Sequence, residues 1–302
     1  MIMKSELWKR ITDKYEKNFD VDNFRNPSKE SINNRFASWA PNEATLRWYK
    51  SFLLCIANMA PTEEIAIYLK INRANLGNPV TVRICNREIE SFKLNFLDVN
   101  LDYLLTAHET SFLRKNLHIK FQKIVEIGGG FGRTAHALLE IIDTIELYVI
   151  IDLPEILNIS QNYLQQVLSE ENFQKIIFLS SENRPNTYEQ FDLCIQIDGF
   201  QEMTDETVNR YYEDIVSVSK YFLSVNPIGK YLPSTAGIEV SHESKIAMEL
   251  GRSQDIVDIW DILDMKKNRE IHVKNYAPNL STVVASSPSR IFPHYEMTLY
   301  RL

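Results

Sequence analysis

Four glycines fall within five positions, at Gly128, Gly129, Gly130 and Gly132, and Glu126 stands two residues before the first of them. Glycine lets a backbone turn sharply and brings its N–H groups close to a ligand with no Cβ in the way. Some twenty residues further on, Asp152 ends an apolar run that begins at Leu147. A carboxylate there can accept both hydroxyls of a ribose, which points to an adenosine-containing ligand. A dinucleotide site favours Gly-x-Gly-x-x-Gly, and here the third position is Arg133. A carboxylate at Glu126 favours a ligand bearing an ammonium or sulfonium over one bearing a pyrophosphate. S-adenosylmethionine carries both positive groups and is the expected cofactor, held by Glu126, Gly128, Gly129, Gly130, Gly132 and Asp152. A nicotinamide enzyme is the distant alternative. A bare strand-to-helix turn is the plainer one, although a single turn seldom needs so many glycines.

These residues need a frame that puts loop and carboxylate side by side. From residue 119 the pattern alternates strand and helix. Lys123–Ile127 reads as a strand, the glycine loop leads into a helix to about Ile142, and Leu147–Leu153 reads as a strand covered on both faces. Pro154 opens a helix to about Glu170, and Ile176–Leu179, Phe191–Ile197 and Tyr221–Val225 are the next strands. Thr204 with Asp205 and Glu206 supplies a cap and an acidic first turn. Ser281–Ser286 and Glu296–Arg301 read as closing strands, the last antiparallel. The expected fold is α/β: a Rossmann-like, mainly parallel sheet with helices on both faces, with the ligand at the carboxyl ends of the strands.

Residues 1–118 read as a separate, mainly helical region and 119–302 as the cofactor-binding domain. Helices are expected over Met1–Lys17, Asn42–Met59, from Pro61, and over Leu101–Asn116. Between them, Val80–Ile84 and Ile89–Leu94 alternate as strands and predict a β-hairpin near 80–94, turning through Cys85–Glu88. This region is the expected lid, specificity element or dimer surface. A homodimer is therefore an expectation.

Forty acidic against 33 basic residues leave a net charge of -7, which argues against a nucleic-acid partner, since that needs a basic face. No apolar run approaches the roughly 20 residues that cross a bilayer, and the first residues show no signal-peptide core, so no membrane partner and a cytoplasmic location are expected. Cys55, Cys85 and Cys194 lack metal-ligand spacing; each lies in an apolar stretch and is expected to be buried.

Three segments together carry a family resemblance. Val125–Arg133, Tyr148–Pro154 and Phe191-Asp192-Leu193 leading to Phe200-Gln201-Glu202-Met203 resemble the bacterial sugar O-methyltransferases, class I S-adenosylmethionine-dependent enzymes with a Rossmann-like domain. Asp152-Leu153-Pro154 is also similar to the small-molecule O-methyltransferases of the plant and hydroxyindole type. The match covers about residues 119–226. It implies methyl transfer to a hydroxyl of a sugar or sugar-containing metabolite, with Leu153 and Gln201 added to the cofactor contacts. Another small hydroxylated metabolite as acceptor, or a non-catalytic S-adenosylmethionine-binding protein, is the alternative.

Methyl transfer to a hydroxyl calls for orientation and for a base. The segment Asp198–Glu202 leaves the fourth strand at its carboxyl edge, so Glu202 and then Asp198 are the candidates for catalytic or acceptor-binding work. Glu202 could equally brace the helix near Thr204. His242, after the fifth strand, is the best histidine candidate, against the common case of a surface histidine. His294 is weaker, and His136 is expected to pack or to line the cofactor. Asp198 and Glu202 could hold a divalent ion such as magnesium, but two carboxylates at that spacing are too common to predict one, and no metal ligands are assigned. Trp39, Trp48, Tyr49, Trp260 and Tyr276 could wall an acceptor site or simply belong to the core.

Overall fold

The computed structural model describes residues 4–15, 54–71, 81–84, 87–89, 92–94, 97–182, 190–232 and 242–302. In chain order the elements are α1 (Glu6–Tyr15), α2 (Thr62–Ile71), β1 (Thr81–Ile84), β2 (Arg87–Ile89), β3 (Phe92–Leu94), β4 (Leu97–Asn100) and α3 (Leu101–Asn116). They continue with β5 (Lys123–Ile127), α4 (Arg133–Ile141), β6 (Leu147–Asp152), α5 (Pro154–Val167), α6 (Glu170–Phe173), β7 (Ile176–Ser180) and β8 (Phe191–Ile197). A 3₁₀ turn, Gly199–Glu202, precedes α7 (Asp205–Asp214), β9 (Ser219–Pro227), α8 (His242–Glu249), α9 (Ile262–Asn275), β10 (Thr282–Pro288) and β11 (Tyr295–Arg301).

Seven strands form the main sheet in the order β10-β11-β9-β8-β5-β6-β7. Strands β5 to β9 in this sheet run parallel, while β11 pairs antiparallel with β9 and β10 with β11. This is the expected Rossmann-like α/β fold. The chain builds outward from β5 through β6 to β7, then crosses back to add β8 on β5's other side. The crevice between β5 and β8 is therefore the topological switch point, where open parallel sheets bind ligands.

Alternation along the strands divides the core into two layers, because successive side chains point to opposite faces. Ile124, Tyr148, Ile150, Leu193, Ile195, Leu223 and Leu299 pack on one face in a cluster that includes Leu138 of α4 and Tyr163 of α5. Leu7, Tyr68, Leu104 and Leu113 belong to that same cluster, so α1, α2 and α3 share one continuous core with the sheet. Val125, Ile127, Val149, Ile151, Cys194, Phe222 and Tyr300 face the other way, onto Val208 and Tyr211 of α7 and onto Tyr276. Glu126 shares the first face with Ile124, which aims a carboxylate into an otherwise apolar layer.

Local rules account for the helix boundaries. Leu153 precedes Pro154 at the first position of α5, and α5 stops at Val167, short of the expected Glu170. Ser169 then starts a separate short helix by accepting from the N–H of Asn172 at 3.2 Å. Thr204 caps α7 as expected, its side chain accepting from the N–H of Thr207.

The small strands before α3 pair differently from the expected hairpin. Thr81–Ile84 pairs antiparallel with Leu97–Asn100, while Arg87–Ile89 pairs with Phe92–Leu94, so one hairpin is nested inside a wider ladder. The alternation in 80–94 marks strands but not partners, because the register of Thr81–Ile84 is set by Leu97–Asn100, outside that stretch. Cys194 is buried as expected, but Cys55 is exposed, and Cys85 lies outside the described residues. Most of Asn42–Met59 lies outside them too, with helix over 54–59. No helix among the described residues is long and apolar enough to cross a membrane.

Candidate functional site

The glycine loop leaves β5 at the switch point. Gly128, Gly130 and Gly132 have φ of 75°, 55° and 96°, the left-handed region that glycine alone enters without cost. Two bonds fold the loop back on the sheet: Gly128 N–H to the carbonyl of Ile151 at 2.8 Å, and Gly130 N–H to Oδ2 of Asp152 at 2.9 Å. Asp152 also accepts from the N–H of Leu153, through Oδ1 at 2.7 Å. Each carboxylate oxygen keeps further acceptor capacity. Burial pushes this carboxyl up to about 7, against the two N–H groups that favour its charged form.

Glu126 is buried beneath the loop and accepts from the Tyr148 hydroxyl at 2.8 Å. Burial raises it to about 7, opposed by hydrogen bonds from Tyr148 and Thr134 and by the charge of Arg133. A negative group at this depth gains most from an adjacent cation, since little water screens the pair.

A pocket opens above these groups. Glu126, Gly128, Gly129, Gly130, Asp152 and Leu153 line its floor and one side, and Asp198, Glu202 and Met203 line the side contributed by β8 and the turn after it. Lys4, Ser5 and Trp8 close it from the start of the chain. Trp8 Nε1 donates to Oε2 of Glu202 at 2.6 Å, and Lys4 pairs with Glu155 at 2.7 Å. These two contacts pin α1 across the pocket. Reading the sequence missed Trp8 and Lys4, since no motif ties an amphipathic helix to a site more than a hundred residues away.

Asp198 sits at the left-handed φ of 60°, a strained setting for a residue with a side chain. Its two oxygens each lie 3.2 Å from the Tyr295 hydroxyl. The surrounding protein raises Asp198 to about 7, with repulsion from Glu202 added and the Tyr295 hydroxyl opposing. Asp198 opens onto water at the pocket's edge, which screens part of this rise. Nearby, Lys230 Nζ donates to the carbonyl of Gln201 at 3.1 Å, and burial lowers the lysine to about 8 against the pull of Glu202 and Asp198.

The expected site residues thus divide. Glu126, Gly128, Gly129, Gly130, Asp152, Leu153, Asp198 and Glu202 line one pocket, and Gly132 caps α4 just behind it. Gln201 does not line it: its buried amide donates to the carbonyl of Pro227 at 3.1 Å and to the Tyr276 hydroxyl at 2.6 Å. In a 3₁₀ turn neighbouring side chains point about 120° apart, so Gln201 turns inward where Glu202 turns to the pocket. His242 stands exposed at the first position of α8, outside the lining residues. His136 is buried, packed against Tyr103 and Tyr163, and burial lowers it to about 4. Trp260 is exposed and Tyr276 is fully buried, while Trp39, Trp48 and Tyr49 lie outside the described residues. Among the described residues no three side chains of metal-ligating type come together as a metal site.

Arg133, which breaks the dinucleotide pattern, has a structural partner. It forms a two-pronged pair with Glu109 at 3.1 and 3.2 Å and donates to Thr106 at 2.6 Å, tying the start of α4 to α3.

The chain matches no protein-family model and no curated protein sequence. Among solved structures it is similar to the methyltransferase domain of bacterial CtHen1, at 13% identity and a TM-score of 0.47, over 67% of this chain and 100% of that one. It is also similar to the O-methyltransferase family 2 protein from Planctomyces limnophilus DSM 3776, at 12% identity and 0.43, over 66% and 58%. A third is the glycopeptide N-methyltransferase MtfA complexed with S-adenosyl-L-methionine, at 11% and 0.42, over 65% and 86%.

Proposed function

We propose that this chain is an S-adenosylmethionine-dependent O-methyltransferase acting on a hydroxyl of a sugar or sugar-containing metabolite. The observation that carries the reading is the placement of Asp152 and Glu126 on either side of the glycine loop. One carboxylate faces the pocket at the end of β6 with acceptor capacity to spare, and the other lies buried beneath it. Those two acceptor carboxylates fit a ribose together with a cation, and not a pyrophosphate.

When bound, S-adenosylmethionine supplies the methyl group as an electrophile on a positively charged sulfur. The protein's part is then to bind, orient and exclude water. Asp152 accepts from ribose hydroxyls, and Glu126 offers its negative charge to the positive end. Trp8 and Lys4 hold α1 over the pocket and keep water out. Asp198, at the pocket's edge beside Glu202, accepts the proton of the acceptor hydroxyl. Glu202, held by Trp8, adds negative charge beside it.

The test is incubation with methyl-labelled S-adenosylmethionine and a small-molecule extract. Label recovered as a methyl ether on a carbohydrate supports the reading. Label only on amines or on protein contradicts it, and binding without any transfer leaves a non-catalytic S-adenosylmethionine-binding protein.

A further inference from the structure

Exposed large apolar side chains gather late in the sequence, at Ile262, Leu263, Ile271, Leu280, Val283 and Val284. Leu263 is 74% exposed and Leu280 stands wholly in solvent. Two contacts put these residues on one face. The Tyr300 hydroxyl donates to the carbonyl of Val273 at 2.7 Å, and Arg269 pairs with Glu296 at 2.7 Å. Tyr300 and Glu296 are the register partners of Val283 and Pro288 in β10. The helix α9 therefore runs beside β10 in the opposite sense, with its carboxyl end at Val283 and its start reaching past Pro288. Leu263 lies ten residues before Val273, about 15 Å along the helix, so the face carries an apolar cluster at each end.

The strand offers no charge to keep a partner away. Among the described residues β10 pairs with β11 on one side and with no strand on the other. Thr282–Pro288 contains no charged residue, whereas exposed edges are commonly blunted by lysine or other charge. The bulge between Val283 and Ala285 and the proline at Pro288 interrupt the ladder, which disfavours simple extension of the sheet by another strand. A partner would meet side chains of α9 and β10 together.

Charge along this face is ordered. Asp255, Asp258, Asp261 and Asp264 come first, and Lys266, Lys267 and Lys274 follow, with Glu270 the one acid among them. The helix dipole accounts for acid at the start of α9 and base at its end, but not for apolar side chains in water at both ends. A second copy turned by half a rotation about the middle of α9 satisfies both. Each acidic end, with Ile262 and Leu263, then lies on the other copy's Lys274, Leu280 and Val283. Near the axis Lys267 meets the partner's Glu270. Among the described residues neither of these has an ion-pair partner within its own chain. A surface that complements itself in this way closes as a pair.

We propose that the α9–β10 face is the interface of a two-fold homodimer in which the two α9 helices lie antiparallel. This places the dimer surface at residues 255–288 and not in residues 1–118. The proposal is independent of the methyl-transfer reading, and none of the residues it uses lines the pocket.

Sedimentation velocity of the full chain across a range of concentrations should show a monomer in equilibrium with a species of twice its mass. Backbone hydrogen exchange should slow with concentration in α9 and β10 and not in α1, α2 or α3. Lys267→Glu and Glu270→Lys should each weaken self-association about tenfold or more, because each sets like charges across the axis. Mixing these two variants should restore a dimer, since the opposite charges then meet. Leu263→Lys, set against the partner's Lys274, should weaken association as well. Circular dichroism establishes that each variant is folded, and the charge variants carry the test if Leu263→Lys is not. The proposal is overturned by a monomer at every concentration, by open-ended assembly, or by a dimer that the folded variants leave unchanged. It is equally overturned by slowed exchange confined to other elements, or by a mixture no more associated than its single components.

Discussion

The indole N–H of Trp8 donates to the carboxylate of Glu202 at 2.6 Å, joining α1 to the turn that ends β8. A hydrogen bond to a charged group contributes about 1.5–3 kcal/mol. Trp8→Phe should loosen α1 from the pocket, weaken S-adenosylhomocysteine binding about tenfold and reduce the change in tryptophan fluorescence on binding. A variant with the native affinity and the native fluorescence response would remove α1 from the site.

Glu126 carries a pH dependence whose sign follows from its burial. Its pKa is about 7 in the folded chain against an ordinary value of 4.5, so between these values the folded state binds the extra proton. Its contribution to stability is present below about 4.5 and is lost as pH rises to about 7, amounting to about 3 kcal/mol. Glu126→Gln should flatten the fall in urea midpoint between pH 5 and 8. The binding of cationic S-adenosylmethionine should strengthen as pH rises through 7, whereas the variant should bind weakly at every pH. Parallel pH profiles for the two proteins would contradict this role.

Arg133 and Glu109 are both largely buried, at 15% and 6% side-chain exposure, so removing one strands the other. Arg133→Met should cost about 3–5 kcal/mol in urea unfolding, and the Arg133→Met, Glu109→Met pair should cost less than the single change. Equal losses in the single and double variants would show that the pair is not coupled.

Gly132 and Gly199 make a contrast within one loop system. At Gly132, φ is 96° and a Cβ would lie 2.7 Å from Cδ1 of Leu164, so Gly132→Ala should destabilise by roughly 2 kcal/mol or more. At Gly199 the nearest atom to a Cβ is Nε2 of Gln196 at 3.3 Å, and φ lies outside the left-handed region. Gly199→Ala should cost about 1 kcal/mol or less. Calorimetric melting of both variants checks the order.

The features legible in the sequence were those whose signal is local. Gly128, Gly130 and Gly132 announce positive φ, Asp152 marks a strand end, and alternating strands and helices fix a parallel sheet. Thr204 as a cap needs only its near neighbours. What stayed hidden depends on distant partners. Trp8 meets Glu202 across 194 positions, and Tyr295 meets Asp198 across 97, with no periodicity to pair them. In the sequence Arg133 shows only as a break in the glycine pattern, and its pairing with Glu109 across 24 positions emerges in the fold. Gln201 and Glu202 are adjacent, and only the 3₁₀ turn decides which of them faces the core.

The central claim is that Asp152 and Glu126 flank a site for S-adenosylmethionine. Titration calorimetry with S-adenosylhomocysteine tests it most directly, because it needs no acceptor. The account predicts one site with micromolar affinity, weakened by thirtyfold or more in an Asp152→Ala variant that circular dichroism shows to be folded (roughly 2 kcal/mol, as for hydrogen bonds to a charged group). No binding heat, or equal affinity in Asp152→Ala, would contradict it.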